Sequence, residues 1–147
     1  MVFEVSLVMK TGMLIILMVT VYFTITSQVD LAQKTKHYNY MKEIAEYTES
    51  KILHGMNSLN SYNSNNSQLL LLPYTKKDYK VELSCTDYLY INVSSSGTGR
   101  YYQINERMNC SKIQASGTVY AGEKCLKVNK LSEELIELKL EDSCGTI

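Results

Sequence analysis

The sequence is poor in the residue types from which catalytic and nucleic-acid-binding sites are built. Its 147 residues include 2 His, 1 Pro, 2 Phe and no Trp, and 15 basic residues balance 15 acidic ones. No basic stripe forms, so binding to nucleic acid has little support. No Ser/His/Asp set, phosphate loop or pair of carboxylates emerges. We therefore predict no catalytic residue, no cofactor and no small-molecule substrate, and an enzyme remains a third interpretation without a site.

Metal-binding patterns are missing as well. His37 and His54 are 17 residues apart, which places them four to five turns apart on a helix, too far for one metal ion. Both are expected on the surface. No pair of cysteines has the C-x-x-C spacing of zinc or thioredoxin-like sites. The sequence thus predicts no metal site.

The N-terminal part is apolar. Residues 13–29 carry no charge, and residues 5–9 extend the apolar run. A membrane-spanning helix needs ~20 such residues. A cleaved secretory peptide is the alternative, but such peptides begin with positive charge and end at a small-residue cleavage site. Glu4 and the lack of that site after Val29 favour a retained helix.

From Asp30 onward the apolar residues fall on one face of the predicted helix. They recur at spacings of three and four, which is typical of a helix that packs on a sheet or on neighbouring helices. We predict one near-continuous helix from Val2 to about Leu59, ended by Gly55 and the Asn/Ser run that follows. The stripe consists of Met41, Ile44, Ala45, Thr48, Ile52, Met56 and Leu59.

The remainder is strand-like. Asn57–Gln68 is predicted as a loop because Asn and Ser compete for backbone hydrogen bonds, and Pro73 marks a strand entry or edge. Short alternating segments then argue for an antiparallel sandwich or sheet. The predicted strands are 79–85, 88–93, 100–104, 113–120, 125–128 and 134–140, with a flexible loop at 94–99.

The expected fold class is therefore α+β, with a long N-terminal hydrophobic and amphipathic helix followed by a small antiparallel β-sandwich-like domain with disulfides. The expected divisions are residues 1–60 for the helix, 61–78 for an Asn/Ser-rich loop and linker, and 79–147 for an extracellular β domain.

Four cysteines, Cys85, Cys110, Cys125 and Cys144, follow the hydrophobic segment. An even number behind an export segment indicates two disulfides in an oxidising compartment; four buried free thiols are the alternative. If the first three strands form a meander and the last two a hairpin, Cys85 approaches Cys110 and Cys125 approaches Cys144. That is the pairing we predict among the three that four cysteines allow.

Three N-x-S sequons mark candidate glycosylation sites at Asn65, Asn92 and Asn109. Asn65 is favoured because it falls in the predicted loop. Asn109 is least favoured because it precedes Cys110, which is expected to be bridged.

The architecture resembles that of type IV pilin-like subunits, particularly archaeal ones. The resemblance covers the whole chain, and its most characteristic stretch is the Leu-Leu-Leu-Pro of residues 70–73, then Tyr79-x-Val81-x-Leu83 and Ile136-x-Leu138-x-Leu140. The resemblance implies a helix that is first inserted in the membrane. A short basic leader is then removed, and the helix bundles with those of other copies to form the core of an extracellular filament. A homopolymer at the cell surface, with adhesion as a role, is what this family would lead us to expect.

The resemblance assigns assembly to the first half of the helix. No basic leader precedes Met1, so we expect the sequence to be either the mature form or not a pilin. Lys10 interrupts the helix where a pilin core is usually apolar. Glu4 either pairs with the amino terminus of a neighbouring copy or is solvated at the helix end.

The alternative function is a single-pass anchored ectodomain that binds a surface polymer or serves an export machine. The expected assembly residues are Phe3, Glu4, Leu7, Leu14, Ile15, Leu17, Met18, Val21 and Ile25.

Overall fold

A computed structural model describes residues 2–59, 65–75, 78–95 and 101–144, without the side chains of residues 2–7, 101 and 105–107. Of the predicted loop at 94–99, Ser94 and Ser95 belong to a strand, while 96–99 and the start of the predicted strand at Arg100 lie outside this range. The elements are α1 (Val2–Asn57), β1 (Asn65–Leu72), β2 (Tyr79–Cys85), β3 (Tyr88–Ser95), β4 (Tyr101–Asn109), β5 (Ile113–Ser116), β6 (Thr118–Tyr120), β7 (Gly122–Lys130) and β8 (Ile136–Glu141). The chain divides into two compact units, Met1–His37 and Tyr38–Ile147. The fold class predicted from the sequence is confirmed.

Helix α1 runs without a break, as predicted, because no Pro or unfavourable turn residue interrupts its hydrogen-bond ladder. It ends two residues before Leu59. There the amide of Ser58 donates to the carbonyls of His54 and Gly55 at 3.1 and 3.2 Å, and the hydroxyl of Ser58 donates to Gly55 at 2.7 Å. These bonds satisfy carbonyl groups that the end of a helix leaves without partners.

The first unit is a helix with apolar side chains on all sides. The hydroxyls of Thr20, Thr24 and Thr35 each donate to the carbonyl four residues earlier, at 2.8, 2.8 and 3.0 Å, and Thr26 makes the same bond to Tyr22. A hydroxyl bonded in this way needs no water. The polar side chains of this segment are thus compatible with an apolar environment.

The second unit contains two four-stranded sheets. The first has the strand order β1-β7-β8-β5 and the second has the order β4-β3-β2-β6. Only Gly117 separates β5 from β6, so the chain passes directly from the edge of one sheet to the edge of the other. Gly117 has φ 117°, and a Cβ there would lie 2.5 Å from the carbonyl oxygen of Leu140. Only glycine accepts that conformation and that close approach.

One hydrophobic core joins the last part of α1 to both sheets. Met41, Ile44, Ala45 and Ile52 are buried together with residues of seven of the strands. The Tyr40 ring meets that of Tyr79 edge to face at 6.4 Å between centroids. The stripe predicted from the helical spacing is therefore a packing surface, and its partner is the sheets of its own chain.

Close packing and a buried hydroxyl complete this contact. Gly55 lies so near β7 that a Cβ at this position would stand 2.7 Å from Cγ2 of Val128. Thr48 is fully buried, and its hydroxyl donates to the carbonyl of Ile44 at 2.9 Å. The backbone amide of Leu71 donates to the hydroxyl of Tyr47 at 3.4 Å. Helix and β1 thus share polar as well as apolar contacts.

The loop predicted for Asn57–Gln68 is wrong from Asn65 onward. Asn65 and Asn66 pair with Asn129 and Val128 of β7, and Leu70 and Leu72 of the same strand are buried. Pairing along β7 outweighs the local preference of Asn and Ser for turns. The second compact unit begins at Tyr38, within the helix; the division expected at residues 60 and 78 stays a prediction.

One strand pair departs from the predicted antiparallel arrangement. β5 and β8 are parallel, with Ile113 opposite Ile136 and Ser116 opposite Lys139. The chain enters the second sheet as β6 before it returns as β7, and β8 then occupies the place between β7 and β5. The core that contains residues of both sheets also contains side chains of α1.

The substitution Ile52→Ala tests whether α1 belongs to the core. Ile52 is 1% exposed, whereas the neighbouring Leu53 is 37% exposed. Truncating a buried Ile costs ~2–5 kcal/mol because it removes apolar contacts and leaves a cavity. We expect Ile52→Ala to lower the free energy of unfolding by that amount in the detergent-solubilised full chain, measured by denaturant titration. Leu53→Ala is the matched control, with a loss below ~1 kcal/mol; equal losses would contradict the packing described.

Candidate functional site

The surface with the clearest functional character is the apolar part of α1. The six assembly residues from Leu14 to Ile25 whose side chains are described are each 47–65% exposed. Lys10 is also exposed. The side chains of Phe3, Glu4 and Leu7 lie outside the described part of the chain, and so does the proposed pairing of Glu4. By length and composition, this helix suits a membrane span or an export signal.

The exposed apolar part of α1 can contact lipid or other apolar helices, and its side chains in residues 11–29 carry no charged group. Residues 11–29 carry no charge, and a helix of this length spans ~28 Å, close to the ~30 Å of a bilayer's hydrocarbon core. Lys10 stands before this segment, while Asp30 and Lys34 form an ion pair just after it. The uncharged length thus matches lipid tails or the apolar faces of other helices.

The disulfides lie in the β unit, with the pairing that was predicted. Cys85 bonds to Cys110 with 5.7 Å between Cα atoms, and Cys125 bonds to Cys144 with 4.9 Å. All four cysteines of the sequence are thereby bridged. The first bridge ties the end of β2 to the residue after β4, where the amide of Cys110 also donates to the carbonyl of Asp87 at 3.3 Å. The second ties β7 to the segment after β8, as the hairpin argument required.

The three sequons occupy different surroundings. Asn65 is exposed at the start of β1, and Asn109 is exposed at the end of β4. The side-chain oxygen of Asn109 accepts a hydrogen bond from the amide of Ser111 at 2.9 Å. Asn92 is half-buried in the middle of β3, between Glu82 and Gln103 on the neighbouring strands. Glycosylation at each remains a prediction.

An ionic cluster that the sequence reasoning missed lies on the first sheet. Lys127 and Lys139 face each other across β7 and β8. The carboxylate of Glu141 accepts from Lys127 at 2.6 Å and from Lys139 at 3.0 Å. The Lys127 and Lys139 hydrogen bonds lower the pKa of Glu141, and the bond to Glu141 raises the pKa of Lys139. Alternation of charge in residues 137–141 was the available signal, but Lys127 enters only through strand pairing.

Tyr79 is the most buried tyrosine of the described core. Its hydroxyl donates to the carbonyl of Pro73 at 2.8 Å, and burial, aided by Tyr40, raises its pKa well above the usual range. A phenol kept neutral in this way serves as a structural hydrogen-bond donor.

His37 is half-buried and His54 is exposed. Within the described ranges, no three His, Cys, Asp or Glu side chains are grouped to hold a metal ion.

Comparison with protein families, with curated proteins and with solved structures finds no match to this chain. What the structure itself supports is an architecture, a long apolar N-terminal helix followed by a disulfide-linked β unit. This architecture is compatible with pilin-like proteins and with membrane-anchored ectodomains.

The disulfide pairing has a direct chemical test. Peptide mapping without reduction should yield one fragment pair joining Cys85 to Cys110 and another joining Cys125 to Cys144. Replacing both Cys125 and Cys144 by Ala should cost on the order of 3 kcal/mol of stability, because the bridge closes a loop with a sequence separation of 19. A fragment that joins Cys85 to Cys144 would show that the strand order is different.

The ion pairs of Glu141 with Lys127 and Lys139 should make the stability of the folded chain depend on pH. The folded-state pKa of Glu141 lies below its ordinary value of 4.5. The stabilisation it contributes is therefore complete above pH 4.5 and is lost as the pH falls through the lowered value. We expect Glu141→Gln to lower the melting temperature at neutral pH, with the difference from the unsubstituted chain disappearing in acid. Glu133→Gln, at an exposed position outside the cluster, is the control, and a difference that stays constant with pH would count against this role.

Proposed function

We propose that this chain is a structural subunit of an extracellular, pilus-like filament, held in a membrane by its N-terminal helix before assembly. The observation that carries the proposal is the contrast between the two parts of α1. Its first part is apolar on all sides and exposed, whereas Met41, Ile44, Ala45 and Ile52 of the last part belong to the core of the β unit. One helix thus supplies both an assembly surface and the centre of a folded unit.

A simple membrane anchor does not account for the second half of the helix. An anchor needs only ~20 apolar residues to cross a bilayer. Here the helix continues into the folded unit, and Gly55 lets it approach Val128 closely. A continuous helix embedded in its own domain supports a subunit that stacks with others of its kind.

Association, rather than catalysis, is the proposed mechanism. In water, burying one Leu- or Val-sized side chain contributes ~1.5–3 kcal/mol. A helix that leaves lipid for a bundle gains less, mainly through van der Waals packing. Many apolar side chains distributed around the helix would therefore be needed, and the exposed run from Val8 to Leu31 provides them. We propose no reaction step and no bound cofactor.

The second candidate function is a single-pass anchored ectodomain. The near match between the uncharged segment of residues 11–29 and the thickness of a bilayer favours it. In that case the helix stays in the membrane, and the β unit binds a surface polymer or serves an export machine. Both functions share the membrane-inserted state and differ in whether the helices later bundle.

Electron microscopy of sheared cell-surface material separates the two. We expect immunogold labelling of fibres by antibodies against the β unit. Leu17→Asp should reduce the labelled fibres strongly, because a carboxylate at the centre of an apolar helix costs ~2.5–3.5 kcal/mol on insertion. Lys36→Asp, which changes a charge outside the uncharged segment, is the matched control and should leave the fibres intact.

Two results would contradict the filament. Recovery of the chain only in the detergent-extracted membrane fraction, with no labelled fibres, would favour the anchored ectodomain. Recovery of a shortened, soluble chain that lacks the apolar segment would identify that segment as a cleaved export signal.

A further inference from the structure

Six of the nine tyrosines of the β unit whose side chains are described lie at or near one end, and Tyr88 and Tyr90 of β3 lie toward the other. In the second sheet, Tyr79 at the start of β2 is opposite Ser95 at the end of β3. Tyr120 at the end of β6 is opposite Lys80. In the first sheet, Leu72 at the end of β1 is opposite Gly122 at the start of β7. These strand termini share one end of the unit, while the disulfide between Cys85 and Cys110 lies at the other.

The helix contributes two further tyrosines to the same end. The Tyr38 ring meets that of Tyr102 at 5.2 Å between centroids, and the Tyr40 ring meets that of Tyr79. Tyr102 is the second residue of β4 and pairs with Val93. Tyr38 is also the first residue of the compact unit. The chain therefore enters the unit at its tyrosine-rich end.

At this tyrosine end, some of the tyrosine side chains are buried and others are exposed to solvent. Tyr79 is buried and its hydroxyl is bonded to Pro73. In contrast, Tyr38, Tyr74 and Tyr120 are 50%, 83% and 56% exposed. The hydroxyl of Tyr74 lies close to Gly122, where a Cβ would stand 2.8 Å from its oxygen. Large aromatic side chains that are gathered in one place and left this exposed indicate contact with a partner.

The position of the tyrosine end along the chain indicates which partner would lie next to it. The uncharged segment of α1 ends at Val29, nine residues before Tyr38. Nine helical residues rise ~14 Å, and the polar layer on each side of a bilayer is ~5–8 Å thick. If residues 11–29 lie in the hydrocarbon, the backbone of Tyr38, where the chain enters the β unit, lies within ~9 Å of the outer limit of the headgroup layer. Tyrosine is enriched at the headgroup level because its ring is apolar and its hydroxyl is polar.

We propose that the tyrosine end of the β unit, with Tyr38, Tyr74 and Tyr120 exposed, rests on the phospholipid headgroup layer of the membrane that its own helix spans. This contact would hold the unit against the membrane before assembly. The inference rests on membrane insertion of α1, which both candidate functions share, and does not depend on filament formation.

The absence of Trp from the sequence allows a direct test. A single Trp introduced into the full chain reports its own surroundings in proteoliposomes of phosphatidylcholine and phosphatidylglycerol. Tyr74→Trp and Tyr120→Trp report on the tyrosine end. The matched control is Tyr88→Trp, because Tyr88 is 45% exposed and lies beside the disulfide at the opposite end. Phe23→Trp, within the uncharged segment, reports on membrane insertion itself.

We expect a quencher attached near the lipid carbonyl groups to reduce the indole emission of the Tyr74→Trp and Tyr120→Trp chains and to leave that of the Tyr88→Trp chain unchanged. A quencher at the centre of the bilayer should reduce the emission of the Phe23→Trp chain. Emission from the two tyrosine-end variants should also shift to the blue when the chain is moved from detergent to proteoliposomes. Their quenching should not vary with the ratio of protein to lipid.

Each other result overturns the inference in a recognisable way. Quenching of the Phe23→Trp chain without quenching of the two tyrosine-end variants rejects the headgroup contact and leaves membrane insertion standing. Equal quenching of the Tyr88→Trp chain shows that a different face touches the lipid. A blue shift that grows with protein concentration, without lipid quenching, identifies a second copy of the chain as the occupant. If the Phe23→Trp chain is not quenched, membrane insertion is rejected and the inference fails with it.

Discussion

Burial of the last part of α1 in the β unit is the interaction on which the rest of the structure depends. The chain passes from one sheet to the other between β5 and β6, and side chains of the helix share one buried cluster with residues of both sheets. Gly55 is small where the helix approaches Val128 of β7, and Met41, Ala45 and Ile52 are buried in that cluster. Because the same helix begins as an exposed apolar segment, the β unit is attached to that segment by continuous helical backbone instead of a flexible linker.

The β unit is small, and several local constraints compensate for a limited core. Few side chains can be fully buried in a domain of this size, so covalent links become important. The two disulfides join the end of β2 to the residue after β4 and the hairpin of β7 and β8 to the chain beyond it. Gly117 permits the change of sheet between β5 and β6, where any side chain would collide with Leu140. Each constraint acts at a place where strand pairing alone would leave the chain weakly held.

The two ends of the β unit have different chemistry, and this asymmetry connects the fold to the proposed function. Most of the described tyrosines lie at the end at which the helix enters, whereas one disulfide, the Asn109 sequon and Tyr88 lie at the other. An aromatic surface near the entry point suits a membrane boundary, and a polar, covalently linked end suits exposure to an oxidising exterior. In a filament, the same tyrosines would become available to neighbouring subunits once the helix leaves the lipid.

Local sequence patterns determined the helix, its change from all-round to one-sided apolarity, most of the strands and the disulfide pairing. Each of these depends on periodicity or on neighbours that are close along the chain, as with Cys125 and Cys144 across one hairpin. Tertiary structure alone decided that Asn65–Leu72 is a strand, because the pairing with β7 supplies hydrogen bonds that local propensity does not include. It also decided the parallel pairing of β5 with β8, the cluster of Glu141 with Lys127, and the gathering of Tyr38, Tyr74 and Tyr120 at one end. All of these bring together residues that are distant in sequence, and the position of such residues depends on how the sheets close around the helix.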